Sequence, residues 1–501
     1  MSTSTSSPWE FDSPTRKSAP LPRDTTTDVC VVGAGIAGLS TALFLAADGR
    51  SVLLLDAGES AGGGETAYTT AHLAWAIDDR FTHLASVRGD DVARAAAESH
   101  RAAIDLIGAV AERENIACDF RRTDGYLFPG ADGAKTIEEE AATLTRLNLS
   151  FERIDRPPVP GLSGPCLRFG GHGQFHPLKY IEGLAAAFAR KGGVLHTKTR
   201  VQKIEGGDTC TLRTEAGPVV TAKAVVVATN APFDAGVLLH TRQAAYTTYA
   251  VAFAIPPKSV PQVLYWDTED PYHYVRVQDR GDGTEALIVG GEDHKTGQAS
   301  DQADRWKRLE AWTRSRFPAA GRVEHHWSGQ VFETPDGLGL IGAAPWGKNV
   351  FVITGDSGMG MTHGTLGARL VANLVAGRED PLAAVYDPSR WVPKALLTLA
   401  GENLNVAAQY GDWLTGGEVK SADEIPNGHG AVVRRGLAKL AVYKDEHGKV
   451  CERSATCSHL GAVVQWNPGE KTWDCPAHGS RFGCEGNVLH GPAVQGLNPA
   501  G

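Results

Sequence analysis

The sequence predicts an α/β dinucleotide-binding domain of Rossmann type, interrupted by an antiparallel sheet and followed by a small all-β domain with a metal centre. Three observations carry this reading. A glycine-rich turn sits between a strand and a helix near the N-terminus, aromatic-rich alternating strands occupy the middle, and two Cys/His pairs lie close together near the C-terminus. At 501 residues the chain is too long for one ordinary domain, so two or three are expected.

Asp28–Val32 is a short apolar run that meets Gly33-Ala34-Gly35-Ile36-Ala37-Gly38 and then a helical pattern with Leu39, Leu43 and Leu45 on one side. Ser51–Leu55 is the next strand, and it ends at Asp56, 18 residues after Gly38. Gly33 allows the tight turn, Gly35 lets the backbone approach a pyrophosphate, and Gly38 lets helix and sheet pack closely. The helix N-terminus faces the phosphates, and Asp56 can accept hydrogen bonds from a ribose diol. Helical patterns follow over roughly 90–114 and 178–191, with strands at 124–128, 194–196, 201–204 and 224–228. Over 241–326 the pattern becomes alternating strands rich in aromatics, which predicts the antiparallel layer. Asn349–Thr354 is a further buried strand, and it runs through GDSGMGMTHG into a last helix stopped by Gly377. A connector with one helical stretch spans about 391–424, and short strands with tight turns fill 425–501.

In the C-terminal segment Cys457-x-His459 is followed by fifteen intervening residues and then Cys475-x-x-His478. Two short loops therefore each offer one thiolate and one imidazole. This is how a Rieske [2Fe–2S] centre is held, with two Cys on one iron and two His on the other. Tetrahedral Cys₂His₂ zinc is the competing reading, although zinc sites usually group Cys with Cys and His with His. Four of the eight cysteines fall between Cys451 and Cys484, as a metal site requires and a disulfide framework does not. Cys451 and Cys484 themselves read as packing cysteines.

Residues 25–390 resemble the D-amino-acid-oxidase-like flavoproteins, which include glycine and sarcosine oxidases. The resemblance rests on VVGAGIAGLS, the ATN at Ala228–Asn230, WSGQVFETPDGLGLIG at Trp327–Gly342, and GDSGMGMTHG. It implies FAD as cofactor, held in parts at about 25–115, 170–240 and 335–390, with a substrate domain from about 116–169 and 241–334. It places Gly33, Gly35, Ile36, Ala37, Gly38 and Asp56 at the ADP half and Val201 near the adenine. Thr229 falls at a strand end, and Thr69, Thr70 and Ala71 near the ribityl chain and ring. Gly355, Gly358 and Gly360 would close on the flavin, with Met359 and Met361 at the ring. His72 stands where many relatives have glycine; it either touches the ring, with a covalent tether as a further option, or is a satisfied loop histidine. No arginine stands out as a clamp for a substrate carboxylate. Arg276, with Tyr272 and Tyr274 beside it, is the best candidate, set against a plain aromatic sheet face.

Residues 425–501 resemble the Rieske module. Against the respiratory pattern, Ala462 and Ala477 replace a loop-bridging disulfide and Phe482 replaces a tyrosine, while Ser480 is retained. Fewer donors to the reduced cluster imply a potential in the lower part of the Rieske range of roughly −150 to +300 mV. As a whole the chain resembles bacterial FAD-dependent oxidoreductases with a C-terminal Rieske domain, by TTAHL, GGEDHKTGQ and WSGQVFETPDG. Asp293, His294 and Lys295 in GGEDHKTG either line the active site or, as the favoured reading, build a turn.

Together these features predict a two-to-one electron converter. A small amine or amino-acid-like substrate is oxidised by hydride transfer to flavin, with His72, Tyr274 and Arg276 as catalytic candidates. Electrons then leave singly through the cluster to an external one-electron acceptor or redox partner, as in a dehydrogenase. The alternatives are an NAD(P)H-driven reductase feeding a partner oxygenase, and an electron carrier or sensor without small-molecule turnover. The first would carry a second G-x-G-x-x-G after a strand, which the sequence lacks. A net charge of −9 argues against a nucleic-acid partner, and no apolar run predicts a membrane span. Residues 1–24, rich in Ser, Thr and Pro without an apolar core, read as a flexible tail anchored by Trp9 and Phe11, and the cytoplasm is the expected location.

Overall fold

The computed structural model of the protein describes residues 6–12, 15–131, 133–234 and 239–500. The strand Thr25–Val32 lies between two parallel neighbours, Val52–Leu55 and Val219–Asn230. Parallel strands Val194–His196 and Val350–Thr354 extend the sheet on either side, and Leu340–Ala343 closes one edge antiparallel. A hairpin of Val201–Glu205 and Cys210–Thr214 hangs from Val219–Ala222. Both faces of this sheet are covered. Val29, Val31 and Val226 face the helices Ile36–Ala47 and Gly360–Val375, while Cys30, Val32, Val225 and Val227 face the second core. Burial on both faces is why these strands are continuously apolar.

The second sheet runs in the order 323–333, 244–255, 285–295, 273–279, 264–267, 121–128, 166–174 and 72–73. It is antiparallel as expected except where Leu264–Asp267 runs parallel to Gly125–Phe128. Its last strand, His72–Leu73, pairs with Gly173–Gln174 and so stitches the loop after the glycine-rich turn into the substrate-side sheet. The helix Gln302–Arg316 covers the outer face through Leu309 and Trp312.

The N-terminal segment, expected to be flexible and anchored by Trp9 and Phe11, is held at Trp9 and at further points along its described residues. Trp9 is buried edge-on to His176, and Leu21 is buried as well. Ser18 and Leu21 hydrogen-bond along Leu195–Thr199, so polar tail residues find partners on the sheet edge. The side chain of Phe11 lies outside the described residues.

The C-terminal domain has a three-stranded sheet (429–435, 438–444, 450–454) and a four-stranded one (465–467, 472–474, 481–483, 488–490). It begins earlier than the expected 425, because Glu418 N donates to Val432 O and Val419 bridges Val433. The connector is a strut rather than a slack linker. Its helix, Leu396–Gln409, pairs Glu402 with Lys295 at 2.7 Å. The next turn sends Tyr410 Oη to Leu460 O at 2.9 Å and Trp413 Nε1 to Gly461 O at 3.0 Å. Among the described residues no helix is long and apolar enough to cross a membrane.

Candidate active site and metal centre

The C-terminal ends of the parallel strands open into a cavity of about 740 Å³. Its walls include Gly33, Gly35, Ile36, Ala37 and Asp56 from the first β-α-β unit, and Val201 and Thr229 beyond them. Thr69, Thr70, His72, Tyr274, Gly358, Met359, Gly360 and Met361 complete the predicted set that lines it. Gly38, Ala71, Gly355 and Arg276 do not. Gly38 sits one layer behind, where an added Cβ would lie 1.7 Å from Gly33 O, so its hydrogen is what lets the helix lie on the strand. The carboxylate of Asp56 accepts Ala34 N at 2.6 Å and Gly58 N at 2.7 Å, which holds it at the rim.

The loop 69–72 is clamped from behind. Trp9 Nε1 donates to Thr69 O at 2.7 Å, and Ala71 takes a left-handed φ of 60°. Arg276 is fully buried, and its Nη1 donates to the carbonyls of Ala71, Thr70 and Phe175 at 2.7, 3.2 and 3.2 Å. Its Nη2 donates to Gln278 Oε1. The expected role for Arg276 as a substrate clamp is therefore corrected: its guanidinium is spent on backbone carbonyls behind the cavity wall. Arg276→Gln should accordingly cost about 3 kcal/mol of stability, as loss of a buried hydrogen-bonded charge does. Thermal melts should show this loss together with weakened flavin retention, rather than a selective rise in KM.

His72 Nδ1 shares a hydrogen bond with Thr70 Oγ1 at 3.0 Å, and its ring meets Tyr274 edge-on at 5.5 Å. Burial, then the charge of Arg276, push its pKa down to about 3, so His72 is neutral at physiological pH. Tyr274 Oη lies 2.8 Å from Thr248 Oγ1, and Tyr272 Oη donates to Asp78 Oδ2 at 2.6 Å. The strand Glu285–Lys295 puts Asp293 into the cavity wall while Lys295 turns away to Glu402, so GGEDHKTG is more than a turn.

Several cavity residues escaped the sequence reading: Glu65, Asp78, Arg200, Gln330, Glu333 and the segment 487–491 of the C-terminal domain. Gln330 and Glu333 lie within the quoted WSGQVFETPDG stretch, but the acids had no spacing to mark them. Residues of the last domain join because the two domains interlock. Gln330 Nε2 donates to Gly479 O at 2.7 Å, His490 Nδ1 meets Glu65 Oε1 at 3.1 Å, and Gln298 Nε2 donates to Pro476 O at 2.9 Å.

The two Cys/His loops share one backbone plan. Cys457 N donates to Ala462 O and Gly461 N returns to Cys457 O; Cys475 N donates to Ser480 O and Gly479 N returns to Cys475 O. Gly461 and Gly479 supply the left-handed turns, with φ of 81° and 76°. The thiols of Cys457 and Cys475 are buried beside each other and titrate as a pair, Cys475 being pushed up as Cys457 is pulled down. That contact, then the N–H groups of His459 and Leu460 and the Ser480 hydroxyl, favour thiolate at Cys457, lowering its pKa to about 7. The rings of His459 and His478 lie 5.3 Å apart, and burial holds both near 4, the neutral metal-binding form. His459 Nδ1 is buried with no hydrogen-bond partner.

A single tetrahedral zinc would draw all four donors within about 4 Å of one another, given its 2.0–2.3 Å bonds. Among the described residues the set of three or more such donors that closes to within 4.8 Å is Asp267, Glu269 and His273, not this quartet. A two-iron site, with the thiolates on one iron and the imidazoles on the other, does not require that closure. The N-terminal domain covers its histidine side, with the His240 ring 4.6 Å from His459 and 5.5 Å from His478.

A nucleotide-sized cavity on a β-α-β unit, joined to a two-thiol, two-imidazole centre, defines a flavin and iron–sulfur oxidoreductase. The FAD dependent oxidoreductase family model matches residues 28–374, and the Rieske [2Fe-2S] domain model matches residues 416–499. The chain belongs to the FAD dependent oxidoreductase family and carries a Rieske domain, so its cofactors are FAD and a [2Fe–2S] cluster. It is 30% identical over 486 residues to a Bacillus subtilis (strain 168) protein named as a Rieske 2Fe-2S iron-sulfur protein, YhfW, covering 95% of this chain and 94% of that one. Gamma-glutamylputrescine oxidoreductase of Escherichia coli (strain K12) is 26% identical over 369 residues, 70% of this chain and 84% of that one. Glycine oxidase from Geobacillus kaustophilus shares the fold, with a TM-score of 0.59 at 20% identity over 73% of this chain and 99% of that one.

Proposed function

We propose that this protein oxidises a small amine or amino-acid-like substrate at a carbon next to nitrogen and releases the electrons one at a time through its own cluster to an external acceptor. It is then a dehydrogenase rather than an oxidase. The observation that carries this reading is the continuous wall between the two centres. Gln330 lines the cavity and donates to Gly479 O, the residue after His478. Bound FAD would accept two electrons together and a Rieske cluster would pass them singly. The similarity to an amine-acting oxidoreductase supports the substrate class.

In this reading Gly33, Gly35, Ile36, Ala37 and Asp56 hold the ADP half at the helix N-terminus, and Val201 and Thr229 flank it. Gly38 holds the helix against the strand. Thr69, Thr70 and Ala71 position the ring, opposite Gly358, Met359, Gly360 and Met361, with Gly355 shaping their turn. Neutral His72 and Tyr274 face the reacting end, and Arg276 is a positioning residue that fixes their loop. Cys457, His459, Cys475 and His478 hold the cluster.

Anaerobic addition of NADH or NADPH should leave the flavin oxidised, whereas a panel of amines and amino acids should contain a compound that bleaches it. Rapid bleaching by a pyridine nucleotide would make the protein a reductase instead. Ser480→Ala should lower the cluster potential by roughly 60–120 mV, the equivalent of one hydrogen bond to a charged group. A redox titration monitored by electron paramagnetic resonance reads that shift.

A further inference from the structure

We propose that the substrate is a multiply charged amine cation without a carboxylate, of the diamine or polyamine class, selected by Asp78, Asp293 and Glu333. The inference rests on reading this cavity as the substrate site of the oxidation proposed above.

The charges lining the cavity are unequal. Asp78, Asp293, Glu333 and Asp356 lie near enough to one another for their charges to interact, while Arg200, the arginine of the lining, acts on Asp56. Arg276, which would have read a carboxylate, is spent on three carbonyls and lies outside the lining. Lys295, on the strand that carries Asp293, is paired with Glu402. An amino-acid carboxylate placed beside these acids would find no ammonium or guanidinium among them and could be accommodated only with the acids protonated.

Positive charge, by contrast, has a place prepared for it. Asp293 Oδ1 is buried with no hydrogen-bond partner, although its residue lines the cavity. Unpaired buried carboxyls are costly, and a bound ammonium would satisfy them. Burial pushes Asp78 and Asp293 up to about 7 and Glu333 up to about 9; neighbouring acids add to this at Asp78 and Glu333, whereas Thr248, His273 and Arg305 partly offset it at Asp293, and bound cations would draw all three toward the charged form. Three such groups exceed what one ammonium neutralises, which favours a substrate with two or more. Tyr272, Tyr274 and Trp266 supply aromatic surface for the methylenes between charges and for cation–π contact.

The test is ligand binding to the FAD- and cluster-loaded protein, followed by the flavin difference spectrum and by thermal shift. The probes are 1,4-diaminobutane, spermidine, butylamine, glycine and L-proline. The expected result is diamine and polyamine binding at least tenfold tighter than butylamine, with no saturable binding of the amino acids. Asp293→Asn and Glu333→Gln, each with unchanged FAD content and melting temperature, should weaken diamine binding at least tenfold. Tighter binding of glycine or L-proline than of diaminobutane overturns the proposal, as does an unchanged diamine Kd in both variants. Should either variant fail to fold, the ranking of ligands by the unmodified protein still decides. Diamines that bind without bleaching the flavin uphold this inference and count against amine oxidation. Amino acids that bleach it while diamines do not bind uphold oxidation and overturn this inference.

Discussion

Cys475→Ser should yield a protein that keeps its FAD but no longer delivers electrons singly. The thiol of Cys475 is buried, and its loop is closed by the Cys475–Ser480 and Gly479–Cys475 backbone bonds. A serine hydroxyl is a poor ligand for ferric iron where a thiolate is needed, so the cluster is lost. Flavin content, read by absorbance, should stay near that of the unmodified protein, because no atom of Cys475 lines the flavin cavity. Turnover with a one-electron acceptor should fall by about 100-fold or more, beyond the 10–100-fold typical of changes that only perturb a metal's outer partners. The C-terminal domain should also melt earlier, since its two small sheets meet around the cluster loops and metal binding there is folding energy. An unchanged turnover rate would show that electrons leave the flavin by another route.

Gly33→Ala should have the opposite signature, loss of FAD with the cluster spectrum retained. Gly33 has a φ of 101°, and a Cβ there would stand 2.4 Å from Ala228 O, a backbone atom of the neighbouring strand. Neither chain can give way without separating strands whose register runs from Val29↔Ala224 to Val32↔Val227. The left-handed strain and the clash together should cost roughly 3 kcal/mol or more. The helix N-terminus would be displaced from the cavity, and purified protein should be colourless at the flavin band while keeping its iron. Retention of stoichiometric FAD would contradict the placement of the ADP half at this turn.

The parts of the architecture legible in the sequence were those with local periodicity or spacing. The continuous apolar strands around Val29 and Val226, the tyrosine-rich antiparallel strands and the paired Cys/His loops each follow from neighbours in the chain. Arg276 shows where that legibility stops. Its alternation with Tyr274 along one strand was readable, but its partners, the carbonyls of Thr70, Ala71 and Phe175, come from other elements. The acids Asp78, Asp293 and Glu333 have no common spacing and converge only when the second sheet folds over the first. The tail was read as flexible beyond its Trp9 and Phe11 anchors because Ser and Thr are common in mobile chain, whereas here Ser18 and Leu21 find the edge residues Leu195, Thr197 and Thr199. Interlocking of the last domain was likewise hidden, since Gly479 meets Gln330 across a separation of 149 residues.

The central claim is that the flavin site and the cluster of one chain exchange electrons directly. Flash photoreduction of the flavin in the anaerobic holoprotein, followed by the cluster's absorbance and paramagnetic signal, tests it without any knowledge of the substrate. Cluster reduction should follow flavin reduction as a first-order process whose rate is unchanged by tenfold dilution. A rate that falls with dilution, or a cluster that stays oxidised beside a reduced flavin, would contradict it.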